Sequence, residues 1–128
     1  MKKLSPHLSI YKFPITAISS ITNRVTGIYI TGSLVTGMFF SIINEETKNN
    51  LYLKYDSLNS YNKKIFHSVF LYPFGYHFMG GLRHLLWDSF PHLLTKSKVA
   101  SSSKILFISA IIPTLLLENK FSDKIKNS

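Results

Sequence analysis

Two long apolar stretches stand out when the chain is read for its hydrophobic and polar positions. Val25 to Ile43 runs 19 residues without a charged side chain, and Ile65 to Leu82 runs 18. A helix needs roughly 17–25 such residues to cross the hydrocarbon of a bilayer. A third stretch, Val99 to Leu117, has the length but carries Lys104 near its start, and its strongly apolar part, Ile105 to Leu117, is 13 residues. A lysine in that position can extend its ammonium to the interface, so this stretch is also read as spanning. The pattern predicts an all-α membrane protein of one domain, 1–128. It has three transmembrane helices, over about 25–43, 65–86 and 99–117, preceded by a short N-terminal amphipathic segment, 1–24.

The intervening segments are polar. Pro6 and Pro14 punctuate the first 24 residues, and Pro14 suits the first turn of a helix that runs on into the first span. The first connector, Asn44 to Lys64, has room for a short interfacial helix around Leu51 to Leu58, while the second, Asp88 to Ser103, holds Pro91 and a serine run. The tail after Glu118 is charged and is expected to fray. Lysines and arginines divide 8 to 7 between the two sides, which decides no orientation. Three spans nevertheless put the N-terminal segment and the second connector on one side. Ser20 and Arg24 then share a membrane surface with Arg83, His84 and Asp88.

Composition narrows the chemistry. A net charge of +9 invites comparison with nucleic-acid binders, but the lysines sit in connectors and tails with no recognition motif, so no nucleic-acid partner is expected. With no cysteine the chain cannot ligate an iron–sulfur cluster, and a redox cofactor held here must use histidine. The N-terminus lacks the early apolar core of a signal peptide and the arginine-rich composition of a transit peptide. Lysine outnumbers arginine 13 to 2, as an AT-rich organellar or bacterial genome tends to encode.

Ionisable groups inside an apolar span are costly and mark candidate sites. His77, Gly81, His84 and Asp88 all fall within roughly 40° of His77 around a helix, with Gly81 leaving a notch between the two imidazoles. His77 lies roughly 6–10 Å below the polar end of its span. A neutral imidazole at that depth suits the axial position of a haem iron, with Arg83 and His84 above it near the propionates. The competing reading has His77 hydrogen-bonding to a neighbouring helix. His67 falls about 80° away, near the other end of the span, and His7 and His92 lie outside the spans. At the head of the first span Ser20 and Arg24, spaced i, i+4, offer two donors to a quinone carbonyl, although Arg24 would serve equally as an interfacial anchor. The glycines at 27, 32 and 37 are assigned to close helix packing.

The blocks Ser5-Pro6-His7-Leu8-Ser9-Ile10-Tyr11, Phe13 to Ile18, Ser20-Ile21-Thr22-Asn23-Arg24-Val25-Thr26-Gly27, and His77 to Asp88 with its H-x-x-x-G-x-R-H core resemble the cytochrome b556 subunits of succinate dehydrogenase, respiratory complex II. The resemblance implies three helices and a haem b shared with a second small membrane subunit that supplies the other axial ligand. It implies iron–sulfur and flavoprotein subunits as further partners, membrane lipid around the spans, and ubiquinone as substrate. Position by position it makes His77 the haem-iron ligand, puts His84 and Arg24 beside the haem, and puts Ser20, Ile21 and Arg24 in the quinone pocket. Many bacterial members carry histidine where this chain has Asn23, and an amide cannot take up a proton as imidazole does. Succinate chemistry itself falls to other subunits, since no flavin or dicarboxylate motif is present. The expected location is the mitochondrial inner membrane, multi-pass, with a bacterial cytoplasmic membrane as the alternative. A fumarate reductase membrane subunit and a cofactor-free three-helix scaffold are the competing functions.

Overall fold

The computed structural model describes residues 13–126, with side chains to residue 120. The Ser5–Tyr11 block, with Pro6 and His7, lies outside the described residues. Four α-helices follow in order: α1, Ile15–Ile42; α2, Glu45–Asp56; α3, Ser60–Ser89; and α4, Lys96–Lys126, with a 3₁₀ turn at Pro91–Leu93 before α4. The three long helices alternate in direction, with α3 packed against both α1 and α4 while α1 also touches α4.

Local chemistry sets the helix ends. Pro14 stands in extended geometry as the N-cap of α1, and its carbonyl accepts from the amides of Ala17 and Ile18. Asn44 caps α2 by accepting from the Thr47 amide at 3.1 Å, with Glu45 and Glu46 in the first turn and Lys54 in the last, each matched to the helix dipole. Asn59 caps α3 through the Asn62 amide at 2.8 Å.

The helices outrun the apolar stretches in them. α1 begins at Ile15, so residues 15–24 are continuous with the first span; α2 begins at Glu45, upstream of the Leu51–Leu58 segment; and α4 carries on through the charged tail to Lys126. Hydropathy detects the part of a helix matched to hydrocarbon, whereas backbone hydrogen bonding continues through polar flanks.

α1 holds a series of threonines and serines that would be costly in hydrocarbon if left unpaired. Most are satisfied by their own helix. Thr22 donates to the Ile18 carbonyl, Thr31 to Gly27, Ser33 to Tyr29, Thr36 to Gly32 and Ser41 to Gly37, at 2.8–3.0 Å. Pro73 in α3 and Pro113 in α4 each remove one helix hydrogen bond without ending the helix.

Little apolar surface is enclosed. The buried core is Tyr76, Leu106 and Ala110, whereas Ile28 is 75% exposed, Met38 73% and Ile42 79%. An apolar exterior of this extent needs a covering medium. α1 and the Lys96–Lys120 part of α4 are long and apolar enough to cross a membrane. α3, 30 residues long, is less apolar because it carries three histidines, Arg83 and Asp88 among its aromatic residues.

The centre of the bundle is polar at its edges. Tyr76 is fully buried, with its ring 5.0 Å from that of Phe107, and its hydroxyl meets the Ser19 Oγ at 3.2 Å and the Ser19 carbonyl at 3.3 Å. At the far end Ser68 and the buried Glu118 join α3 to α4 by a hydrogen bond. Gly80 is buried because the amide of Asn23 occupies the space where its Cβ would be.

That last contact yields a test. Gly80→Leu should lower the thermal unfolding midpoint of the detergent-solubilised protein by the equivalent of about 1–3 kcal/mol through overpacking. Adding Asn23→Ala should recover at least half of the loss. Gly32→Ala, whose Cβ meets no atom within 4 Å, should leave the midpoint unchanged or slightly raised. A Gly80→Leu midpoint equal to that of the parent chain would remove this contact as a packing constraint.

Candidate functional site

The site is built where α1 and α3 cross. His77 on α3 is half-buried, and its Nδ1 lies 2.9 Å from the backbone carbonyl of Asn23 on α1. A carbonyl only accepts, so Nδ1 carries the proton in the neutral ring and Nε2 keeps its lone pair. Nε2 makes no hydrogen bond to any described residue. The Asn23 carbonyl also accepts from the Thr26 hydroxyl at 2.9 Å, which fixes it in place.

Gly27 makes the approach possible. A Cβ there would stand 2.8 Å from His77 Cε1, so the ring occupies the space the missing side chain leaves. The glycine assigned to helix packing thus packs against the imidazole itself. Gly81, by contrast, meets nothing within 4 Å, and the notch it forms is open to the exterior.

The contact between His77 and Gly27 sets the register of the two antiparallel helices. Seven residues in each direction, roughly 10 Å, bring Ser20 level with His84. By the same count Arg24 stands near the level of Gly81. The stripe Ser20, Arg24, Gly27 therefore lies beside the stripe His77, Gly81, His84, Asp88, flanking one groove at the end of the bundle that holds the N-terminus of α1.

Each expected site residue has a defined setting there. Ser20 is half-buried, and Ile21, Arg24, His84 and Asp88 are exposed. Neither the Ser20 hydroxyl nor the Arg24 guanidinium makes a hydrogen bond or ion pair among the described residues. The His84 ring stands edge-on to Trp87, 5.2 Å between centroids.

Arg83 departs from expectation. It points into the bundle, where Nη1 donates to Ser103 Oγ at 3.0 Å and the guanidinium lies 4.5 Å over the Trp87 ring. Arg83 and His84 are about 100° apart on the helix, so an arginine drawn inward to α4 cannot also serve the outer groove beside His84. Its Nε is buried without a partner, as is Oδ1 of Asn23.

Sequence reasoning does not identify the Asn23 carbonyl, Gly27 or Ser103 as parts of this arrangement. A backbone carbonyl has no sequence signature, and the importance of Gly27 depends on the register between two helices. His67, at the opposite end of α3, bonds through Nε2 to the Tyr55 hydroxyl at 2.8 Å, and His92 sits in the 3₁₀ turn against Phe90. Among the described residues no three His, Asp or Glu side chains gather to hold a metal ion, so a metal bound at His77 would need ligands from elsewhere.

Comparison with known proteins supplies the frame for this groove. Residues 1–117 match the succinate dehydrogenase/fumarate reductase transmembrane subunit family. The mitochondrial succinate dehydrogenase cytochrome b560 subunit of Dictyostelium discoideum is 38% identical over 116 residues, covering 87% of this chain and 58% of that protein. The chain thus spans a little over half the length of that relative. The cytochrome b560 subunit of Marchantia polymorpha is 32% identical over 90% of this chain and 87% of its own length. The cytochrome b556 subunit of Paracoccus denitrificans is 27% identical over 91% and 89%. The match extends from the first residue through the apolar part of α4, and the chain belongs to the family of succinate dehydrogenase/fumarate reductase transmembrane subunits.

Proposed function

We propose that this chain is the cytochrome b membrane anchor of a succinate:ubiquinone oxidoreductase, binding haem b and forming part of the pocket where ubiquinone is reduced. One observation carries the reading. The Asn23 carbonyl accepts the Nδ1 proton of His77, which leaves Nε2 as the nitrogen with the unused lone pair in the neutral ring. That is the state an imidazole needs to ligate iron, with the Nδ1 hydrogen bond orienting the ring and raising its basicity. The names of the relatives, cytochrome b560 and b556 subunits of succinate dehydrogenase, agree with it.

In this reading α1, α3 and α4 all cross the membrane. α3, about 45 Å long, tolerates its histidines because His77 and Arg83 have partners in the bundle and His84 lies near the polar end. Haem, when bound, supplies a one-electron reservoir next to the quinone. His77 would ligate its iron through Nε2, and the exposed His84 and Arg24 would serve its propionates. Ser20, Ile21 and Arg24 form one wall of the quinone pocket, the hydroxyl and guanidinium donating to a carbonyl oxygen and Ile21 covering the ring. Their lack of partners among the described residues supports this, since donors at a half-apolar surface are available to a ligand.

The remaining parts come from other polypeptides. A second small membrane subunit would supply the other iron ligand, an iron–sulfur subunit would deliver electrons, and a flavoprotein subunit would oxidise succinate. The location that fits the lysine-rich composition and the mitochondrial relative is the mitochondrial inner membrane. Family membership leaves the direction of the reaction to the redox potentials, so fumarate reduction is the reverse use of the same groove.

Three measurements test this. His77→Ala should abolish or strongly shift the b-type band in a dithionite-reduced minus oxidised spectrum of the purified complex. Gly27→Leu, which displaces the ring without removing it, should shift the band; an unaltered spectrum in both variants would reject His77 as ligand. Arg24→Leu should lower quinone affinity by about one to two decades, the worth of roughly 1.5–3 kcal/mol for a hydrogen bond from a charged group, and Ser20→Ala by up to about one decade, the worth of roughly 0.5–1.5 kcal/mol for a neutral one. Transfer from succinate to an artificial dye should be retained, whereas equal losses in both assays would point to failed assembly. The chain expressed alone should enter the membrane without holding haem stably, and co-expression with its companion should restore a six-coordinate spectrum.

A further inference from the structure

A second groove lies at the opposite end of the bundle, away from His77. It runs between α1 and α3 and is closed at its outer end by α2. One cavity, about 650 Å³, is lined by Gly32, Gly37, Phe40, Phe66 and Phe70, among others. Another, about 580 Å³, lies under α2 and is bounded by Tyr52, Lys54 and Tyr55. Phe40 and Phe66 line both, so the two adjoin at these rings to make up the channel, and each volume is within the roughly 300–1,000 Å³ of ligand sites.

The channel has a greasy shaft and a cationic mouth. In the shaft, the hydroxyls of Ser33 and Thr36 are both spent on carbonyls of their own helix, at 2.8 Å, and present no donor to an occupant. A methyl group added at Gly32 or Gly37 would meet no atom within 4 Å, which leaves that side of the channel open. At the mouth, α2 is short, polar and without a buried residue, as befits a helix lying at an interface. Its lysines differ. Lys48 is paired with Glu45 at 2.7 Å, and Lys63 at the start of α3 with Asp56 at 3.1 Å. Lys54 has no ion pair among the described residues, and its stem lines the cavity, so its ammonium is free to meet an anion at the rim.

We infer that this channel binds a phospholipid with an anionic headgroup, one acyl chain lying along Phe40, Phe66 and Phe70 and the headgroup phosphate at Lys54. The inference rests on α1 and α3 spanning the membrane as proposed above. Charge decides the occupant: a mostly apolar shaft, with the Tyr29 ring against Phe70, that ends at the unpaired Lys54 is complementary to an anionic amphiphile. A partner helix docked in the same groove would cover Lys54 and leave it without a counter-charge unless it carried a carboxylate of its own.

Because the chain has no cysteine of its own, adducts read by mass spectrometry on this chain report the introduced position alone, whatever else in the complex is labelled. The complex would be prepared with Gly37→Cys, labelled with a benzophenone maleimide, placed in nanodiscs of equal phosphatidylglycerol and phosphatidylcholine, and photolysed. Adducts should form on phospholipid, with phosphatidylglycerol favoured about fivefold, the effect of one lysine at a membrane surface. Adding Lys54→Gln should bring the ratio to about one. Leu116→Cys, on a 65% exposed position of α4, reports bulk lipid and should give a ratio near one throughout. Loss of lipid adducts at Leu116→Cys as well would count against the spanning arrangement itself. Lipid adducts at Leu116→Cys with none at Gly37→Cys, adducts on another subunit, or a ratio at Gly37→Cys near one or indifferent to Lys54→Gln would overturn the lipid site alone.

Discussion

The hydrogen bond from His77 to the Asn23 carbonyl is the contact on which the rest of the arrangement depends. It joins α1 to α3 and selects the tautomer of the imidazole. It also fixes how far the two helices slide past one another, and from that register follows the neighbourhood of Ser20 with His84. Hydrocarbon gives helices little reason to associate through apolar surface alone, so packing of small residues and interhelical hydrogen bonds must supply specificity. Here Gly27 and Gly80 provide the close approach, and His77 and the Tyr76–Ser19 pair provide the hydrogen bonds.

The same economy of polar groups is visible on the other side of α3. Arg83 sits against α4 with Ser103 as acceptor and Trp87 as a π-face, so its charge is partly compensated without a carboxylate. Because Arg83 is committed to the bundle, the outer groove is left with His84 and Arg24 as its basic groups. The two neighbouring residues of one motif therefore do different work: one ties α3 to α4, the other faces the exterior.

Much of this is legible in the sequence, and for identifiable reasons. The long helices are readable because hydrocarbon demands apolar runs of a minimum length, and the shared face of His77, Gly81, His84 and Asp88 because helical periodicity is local. The N-terminus of α1 is readable from Pro14 as the start of a helix that runs on into the first span, whereas the start of α2 at Glu45 and the helical tail of α4 are not, since polar flanks look alike whether they coil or continue. Arg83 escapes a sequence reading because adjacent positions in a span carry no mark of which neighbour they face. The role of Gly27 is hidden for the same reason: three glycines in α1 are equivalent until α3 is placed against one of them.

The spacing of those glycines has a consequence for assembly. Positions 27, 32 and 37 are five residues apart, so successive glycines point about 140° away from each other around α1. A one-turn slip between α1 and α3 would bring the His77 ring against Asn23 or Thr31, neither of which can be entered, and no second glycine lies on the same stripe to receive it. Two helices that enter the bilayer separately can pair at many heights, and nearly all of them would form some apolar contact. With a single seat for the imidazole, only one of those pairings closes, and errors of register are rejected sterically before any cofactor is involved.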